Sequence, residues 1–241
     1  MVEDDCRDTA RIVISPMLAN IYLHDVLDLW TDYWRKHSVT GDVIIVRYAD
    51  DFVVGFPYRG EAERFLKELR DRLEKFHLEL HPEKTRLIAF GRYAIKRNRQ
   101  RGKGRPETFD FLGFTHICGE DKRGWFELQR QSIAKRMRTK LQQIKEEIRR
   151  RMHNKASDVG RWLRAVVQGW YNDHAVPGNQ DRLNAFRDRV TRSWLHVLRR
   201  RSHKGRRRWT WERFRRCLVS RWIPTVRIVH PHPTQRLIVN T

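Results

Sequence analysis

Cysteine is scarce: Cys6, Cys118 and Cys217 are the three in a chain of 241 residues. An odd, scattered set with no Cys-x-x-Cys or Cys/His ligand spacing provides neither a disulfide frame nor a zinc site, so all three read as free thiols. Long apolar runs are missing too. Nothing approaches the roughly 18 consecutive apolar residues of a membrane span. The N-terminus, MVEDDCRDTA, lacks the basic and apolar regions of a secretory signal, which points to a soluble, cytoplasmic protein with no membrane partner. Acidic residues are outnumbered, 29 Asp+Glu against 51 Lys+Arg, for a formal net charge of +22. That excess is larger than solubility requires and makes a polyanion the first candidate partner. There is no internal repeat, and the length suits one large domain or a domain with a smaller appendage.

What the chain does have is a central stretch, Val43 to Phe56, reading VIIVRYADDFVVGF. Two β-branched, apolar runs around a short polar break read as a β-hairpin. Each run is apolar along its length, which predicts strands covered on both faces and leaves an ionised Asp50 or Asp51 at their junction in need of a partner or a metal. The competing reading is a solvated turn, where Asp is common. Tyr48 and Ala49 in place of Gly or Asn, followed at once by Phe-Val-Val, favour a site. Paired carboxylates suit Mg²⁺, a hard cation, and with it phosphoryl transfer. Side chains alternate along a strand, so the two Asp need not share one face. Asp42 and Asp110 are the nearby candidates for a further carboxylate.

Around this hairpin the pattern is mixed. Ser15-Pro16 is a helix start signal, and Leu18, Ile21, Tyr22, Leu29, Trp30, Tyr33 and Trp34 recur as a helical stripe. Ala62, Phe65, Leu66, Leu69, Leu73 and Phe76 mark an amphipathic helix laid on the sheet. His81 to Thr85 breaks it, Leu87 to Phe90 reads as a strand, and Tyr93 to Pro106 reads as a basic loop too polar to pack. Phe109 to Phe114 is strand-like, with Trp125 to Leu128 a candidate partner. Near residue 130 the composition changes to basic helices: one through Ile133, Met137, Leu141, Ile144, Ile148 and Met152, one from Val159 to Trp170, one from Leu183 to Leu198, and a short one from Trp211 to Arg221. The expected fold class is α+β followed by an all-α region, with boundaries at 1–11 (unpatterned), 12–129, 130–222 (helical) and 223–241 (extended tail).

The basic excess is concentrated at Lys96 to Arg105, Arg130 to Arg151 and Arg199 to Arg216. A charge run is often only a solvated face. Here few acids balance it, and Trp residues occur among the arginines. Arg138, Arg149, Arg150, Arg206, Arg207 and Arg208 are candidate phosphate contacts, and Trp209 and Trp211 candidate stacking rings for RNA. Most other Trp sit at helical spacing and read as core.

The ordered motifs carry a resemblance. Arg47-Tyr48-Ala49-Asp50-Asp51-Phe52 resembles the catalytic signature of reverse transcriptases. The segments Ile14 to His24, His81-Pro82-Glu83-Lys84-Thr85 and Phe111-Leu112-Gly113-Phe114 resemble, in order, further motifs of the reverse transcriptase/maturases encoded by bacterial group II introns. The resemblance runs from Ile12 onward. It implies a partial right-hand polymerase palm over 12–129 and a thumb, or maturase, domain over 130–222. The activity it implies is extension of a DNA primer on an RNA template from dNTPs by two-metal chemistry with Mg²⁺. Asp50 and Asp51 are then metal ligands, Tyr48 and Ala49 border the primer end or nucleotide, and Phe111 to Phe114 grips the primer. Lys84 either serves the leaving pyrophosphate or is a surface lysine after a Pro turn; Asn20 and His24 have no separate evidence of a role.

Departures from the family pattern shape the expectation. Where a Gly-Thr-Pro-Gln-Gly-Gly-type loop should precede Ile14-Ser15-Pro16, the chain has Asp8 to Val13, and the fingers and the strand with the first catalytic Asp have no counterpart. The expectation is an N-terminally truncated form, or one part of a split protein with a separate N-terminal piece. It would be inactive as a polymerase alone and would leave a sheet edge unpaired and apolar helix faces uncovered. The alternative is an RNA-binding maturase-like protein that aids folding and splicing of a group II intron without catalysis.

Overall fold

The computed structural model describes residues 17–121 and 123–230, apart from the side chains of His203, Lys204 and Arg206. The expectations for residues 1–16, the Ser15-Pro16 cap among them, and for the tail beyond 230 lie outside the described residues. The architecture is mixed α/β with small antiparallel sheets, in two compact units, Met1–Ala89 and Phe90–Thr241.

The first unit opens with helix over residues 17–37, π-helical over His24–Asp28 and regular over α1 (Leu29–His37). A π turn takes an extra residue, so the helix faces before and after it are rotated out of line. That is why the expected stripe is only partly the buried face: Leu18, Ile21, Tyr22, Leu29 and Tyr33 are exposed, Trp30 and Trp34 pack inward as expected, and Val26 and Leu27 go inside with them. Strands β1 (Ile44–Tyr48) and β2 (Asp51–Gly55) pair antiparallel, Tyr48 opposite Asp51 and Val46 opposite Val53. Helix α2 (Arg59–Glu74) buries Ala62, Phe65, Leu69 and Leu73, the spacing expected of one helical face. Its Phe65 meets Trp34 edge-on at 4.9 Å, and the Trp34 indole N–H donates to Glu68 Oε2 at 2.6 Å. Coverage of both strand faces does not occur. Ile45, Phe52 and Val54 pack on this core, whereas Ile44, Val46 and Tyr48 stand exposed, because helices back one face of the ribbon only.

Leu87 to Phe90 forms no strand; Phe90, which opens the second unit, packs edge-on against Phe109 at 4.9 Å. The basic segment expected as a loop contains α3 (Ala94–Gln100), anchored by buried Ala94. Strands β3 (Phe109–Phe111), β4 (Phe114–Glu120) and β5 (Phe126–Ser132) form a meander. Leu112 and Gly113 turn between β3 and β4 with φ of +49° and +86°, as a two-residue type I′ hairpin requires. Helices α4 (Ala134–Arg150), α5 (Ala156–His174) and α6 (Gln180–Arg200) follow at the places their apolar spacing indicated. The arginine-rich linker is itself helical as α7 (His203–Arg208), and α8 (Trp211–Phe214) runs on through a π segment, Arg215–Val219, into α9 (Ser220–Trp222). Phe186, Trp194, Leu163, Leu183, Ile148 and Phe214 centre this core.

The change of composition near residue 130 therefore falls inside the second unit, and one buried side chain shows how sheet and helices are joined. Asn179, just before α6, accepts from the Ser132 N–H at 2.9 Å. Its amide donates to Ser132 Oγ at 2.7 Å and to the His174 carbonyl at 2.8 Å. Gly178 beside it has φ +86°, and a Cβ there would lie 3.3 Å from the Arg130 backbone nitrogen. The backbone approach needs glycine.

Candidate functional site

The β1–β2 hairpin turns through two residues, Ala49 and Asp50. Ala49 has φ +54° and is the one with positive φ, the pattern of a type II′ turn, where glycine is favoured. An L-residue held there carries about 1 kcal/mol of strain. Ala49→Gly is therefore expected to raise the unfolding free energy of the first unit by about 1 kcal/mol in urea titration. No gain, or a loss, would mean that the turn is not strained.

What holds the turn in place is Arg47. Its guanidinium bonds Asp28 twice, Nε to Oδ1 at 2.7 Å and Nη2 to Oδ2 at 2.6 Å. Its Nη1 donates to the Ala49 carbonyl at 2.8 Å and to Asn20 Oδ1 at 3.0 Å. Arg47 thus occupies the inward face of β1, at its end, and ties the turn to the helix that precedes it. The bonds from Arg47 hold the Asp28 carboxyl below its ordinary range against the opposing effect of burial, and the same contact raises the Arg47 guanidinium. A π turn exposes carbonyls; the one at Val26 accepts from Arg72 Nε of α2 at 3.2 Å. Sequence reasoning gave Asn20 no separate role and did not single out Arg47 or Asp28. The available signal was an arginine inside an otherwise apolar strand.

Asp50 and Asp51 are adjacent and exposed at the tip, with Asp51 across the ribbon from Tyr48 on the open face. Tyr48 is 67 % exposed. Asp42 stands exposed ahead of β1, and Asp110 of β3 accepts from Thr115 Oγ1 at 2.6 Å. Among the described residues no group of three or more His, Cys, Asp or Glu is arranged to hold a metal ion. Mg²⁺ usually keeps several waters and is held by one or two carboxylates together with substrate phosphates. Two exposed carboxylates fit that mode, and do not fit a site built from protein ligands alone. Lys84 lies exposed in the His81-Pro82 turn, where the Lys84 and Thr85 N–H groups donate to the His81 carbonyl at 3.3 and 3.0 Å.

The candidate RNA contacts lie in the second unit. Arg138 is exposed on α4, and Arg149 and Arg150 close that helix, Arg150 at 3.5 Å from Glu147. Arg207 and Arg208 are exposed on α7; the side chain of Arg206 lies outside the described residues. Trp209 is half-buried against the helical core and its carbonyl accepts from Arg199 Nε at 2.9 Å, whereas Trp211 is the more exposed ring at 36 %. Leu112 projects at the β3–β4 tip, 48 % exposed. Cys118 is a buried free thiol and Cys217 an exposed one, as expected; Cys6 lies outside the described residues. Among the described residues no helix is long and apolar enough to cross a membrane.

Comparison with known families places residues 12–116 in a match to reverse transcriptase (RNA-dependent DNA polymerase). No curated protein matches the chain.

Proposed function

We propose that the chain belongs to a reverse transcriptase of the group II intron type, with residues 12–129 as part of its palm and 130–222 as its thumb or maturase region, and that the chain by itself binds RNA without extending a primer. The observation that carries this reading is the hairpin tip: Tyr48-Ala49-Asp50-Asp51 set in fixed register and tied back by Arg47, with two carboxylates where two-metal phosphoryl transfer takes a further one. Asp50 and Asp51 would hold Mg²⁺, which when bound neutralises charge developing on a phosphoryl group. Tyr48 and Ala49 border the place of a primer end or dNTP, and Lys84 offers positive charge to a departing pyrophosphate. Arg138, Arg149, Arg150, Arg206, Arg207, Arg208, Trp209 and Trp211 contact RNA, the partner being a structured intron or a primer-template.

Two assays test this. In primer extension on poly(rA)/oligo(dT) with Mg²⁺ or Mn²⁺, incorporation by the chain alone is expected to stay at the level of Asp50→Ala. Incorporation that Asp50→Ala removes would overturn the inactivity. In filter binding to structured RNA, affinity is expected to fall about 10³-fold between 50 and 200 mM salt if six of the arginines each neutralise a phosphate. A flat salt response would sink the RNA-binding reading.

A further inference from the structure

Packing of α4 on α6 leaves an open groove of about 770 Å³ between them. Arg138 and Lys145 line it from α4, two helical turns apart, and Arg189 and Arg192 line it from α6, one turn apart. The lining includes no Asp or Glu among the described residues. Two carboxylates adjoin the lining: Glu146 accepts from Gln142 Nε2 at 2.6 Å, and Asp188 pairs with Arg192 at 2.7 Å, both side chains well exposed. An exposed pair of this kind contributes little, so a phosphate can replace Asp188 at small cost. Arg192 also meets an aromatic ring. Its guanidinium lies 5.9 Å from the Trp211 ring centroid, so the line of cations runs up to an exposed indole.

We propose that this groove is a channel for single-stranded RNA, with backbone phosphates on Arg138, Lys145, Arg189 and Arg192 and an unpaired base stacked on Trp211. The proposal rests on the RNA-binding reading above and gives it a place and a strand form. Cations stand on both walls of the groove, where they can flank a single backbone running between them. Positive grooves that track a backbone and end on aromatic rings are how single strands are held, since a base inside a duplex has no free face to stack. Lys145, Arg189 and Arg192 did not stand out in the sequence because the first lies in a helix with seven basic residues among seventeen and the other two lie between core positions Phe186, Val190 and Trp194. Arg149 and Arg150 stand at the helix end, outside the groove lining.

Fluorescence anisotropy with a labelled 12-nucleotide oligo(U), and with a duplex RNA of equal length, tests the channel on the full chain. The double variant Arg189→Gln/Arg192→Gln is expected to bind oligo(U) about tenfold more weakly, with a salt slope lower by about 1.4, or 0.7 for each phosphate no longer neutralised. Arg161→Gln/Arg164→Gln removes the same charge from the exposed surface of α5 and should change affinity less than twofold. Trp211→Ala should weaken binding about tenfold, with Trp211→Phe restoring most of it. Equal losses in the two double variants, equal affinity of Trp211→Ala and wild type, or preference for the duplex would each overturn the channel while leaving RNA binding intact. Absence of salt-dependent RNA binding by the wild type would overturn both.

Discussion

Trp194→Ala is expected to destabilise the helical unit by about 4 kcal/mol, the loss typical of truncating a fully buried tryptophan. Trp194 is 0 % exposed in the middle of α6 and meets Phe214 of α8 edge-on at 5.3 Å. Removing it leaves a cavity and withdraws the main support of the segment that presents Trp211. The melting temperature of this unit should fall by ~10 °C, and oligo(U) binding should weaken well below that temperature. Trp194→Phe is expected to behave differently. The indole N–H is buried without a hydrogen-bond partner, so phenylalanine removes an unsatisfied donor along with part of the ring, and the net cost should stay below about 1.5 kcal/mol. Thermal denaturation by near-UV circular dichroism separates the two variants. Equal losses for Ala and Phe would show that the indole N–H has a partner, such as an ordered water.

The second large effect belongs to the hairpin unit. Arg47→Met should cost about 3 kcal/mol, because it leaves the 30 % exposed Asp28 carboxylate with His24 Nδ1 at 3.3 Å in place of the guanidinium and releases the Ala49 carbonyl and Asn20 as well. Arg47→Met with Asp28→Leu should recover most of this, since no charge is then left unpaired. Acid provides an independent measure. Asp28 has a lowered pKa in the folded chain, so its contribution is complete above the unfolded value of about 3.9 and is lost as pH falls through the lower folded value. Urea midpoints from pH 7 to pH 2 should show this acid limb in wild type and its loss in Asp28→Asn. A wild-type limb that survives Asp28→Asn unchanged would refute the assignment to this pair.

Much of this molecule was legible in the residues. The hairpin, the amphipathic helix after it and the three basic helices follow from apolar recurrence, because each buries one face along its length. The failures share a cause. The stripe through Leu18, Ile21 and Leu29 misled because the π turn at His24–Asp28 re-aims the helix, and no local residue preference announces such a turn. The basic segment after Tyr93 contains a helix because buried Ala94 anchors it, a tertiary fact outweighing local polarity. Asp50 and Asp51 were visible as a carboxylate pair at a hairpin turn, but the support of that turn by Arg47 and Asp28, nineteen positions apart, depended on how helix and strand meet. The α4–α6 groove was invisible for the same reason: its cations are forty-four or more positions apart across the two helices, and only their packing brings them together.

Each unit has its own hydrophobic core, Val26, Trp34, Phe65 and Leu69 in one and Phe186, Trp194, Leu163 and Ile148 in the other. Substitutions in two cores that share no residue add instead of compounding. Selection can therefore act on them one at a time. Changes around Asp50 and Asp51 can accumulate at no expense to the helices, and the exposed arginines of the helical unit can be remodelled while the hairpin keeps its shape.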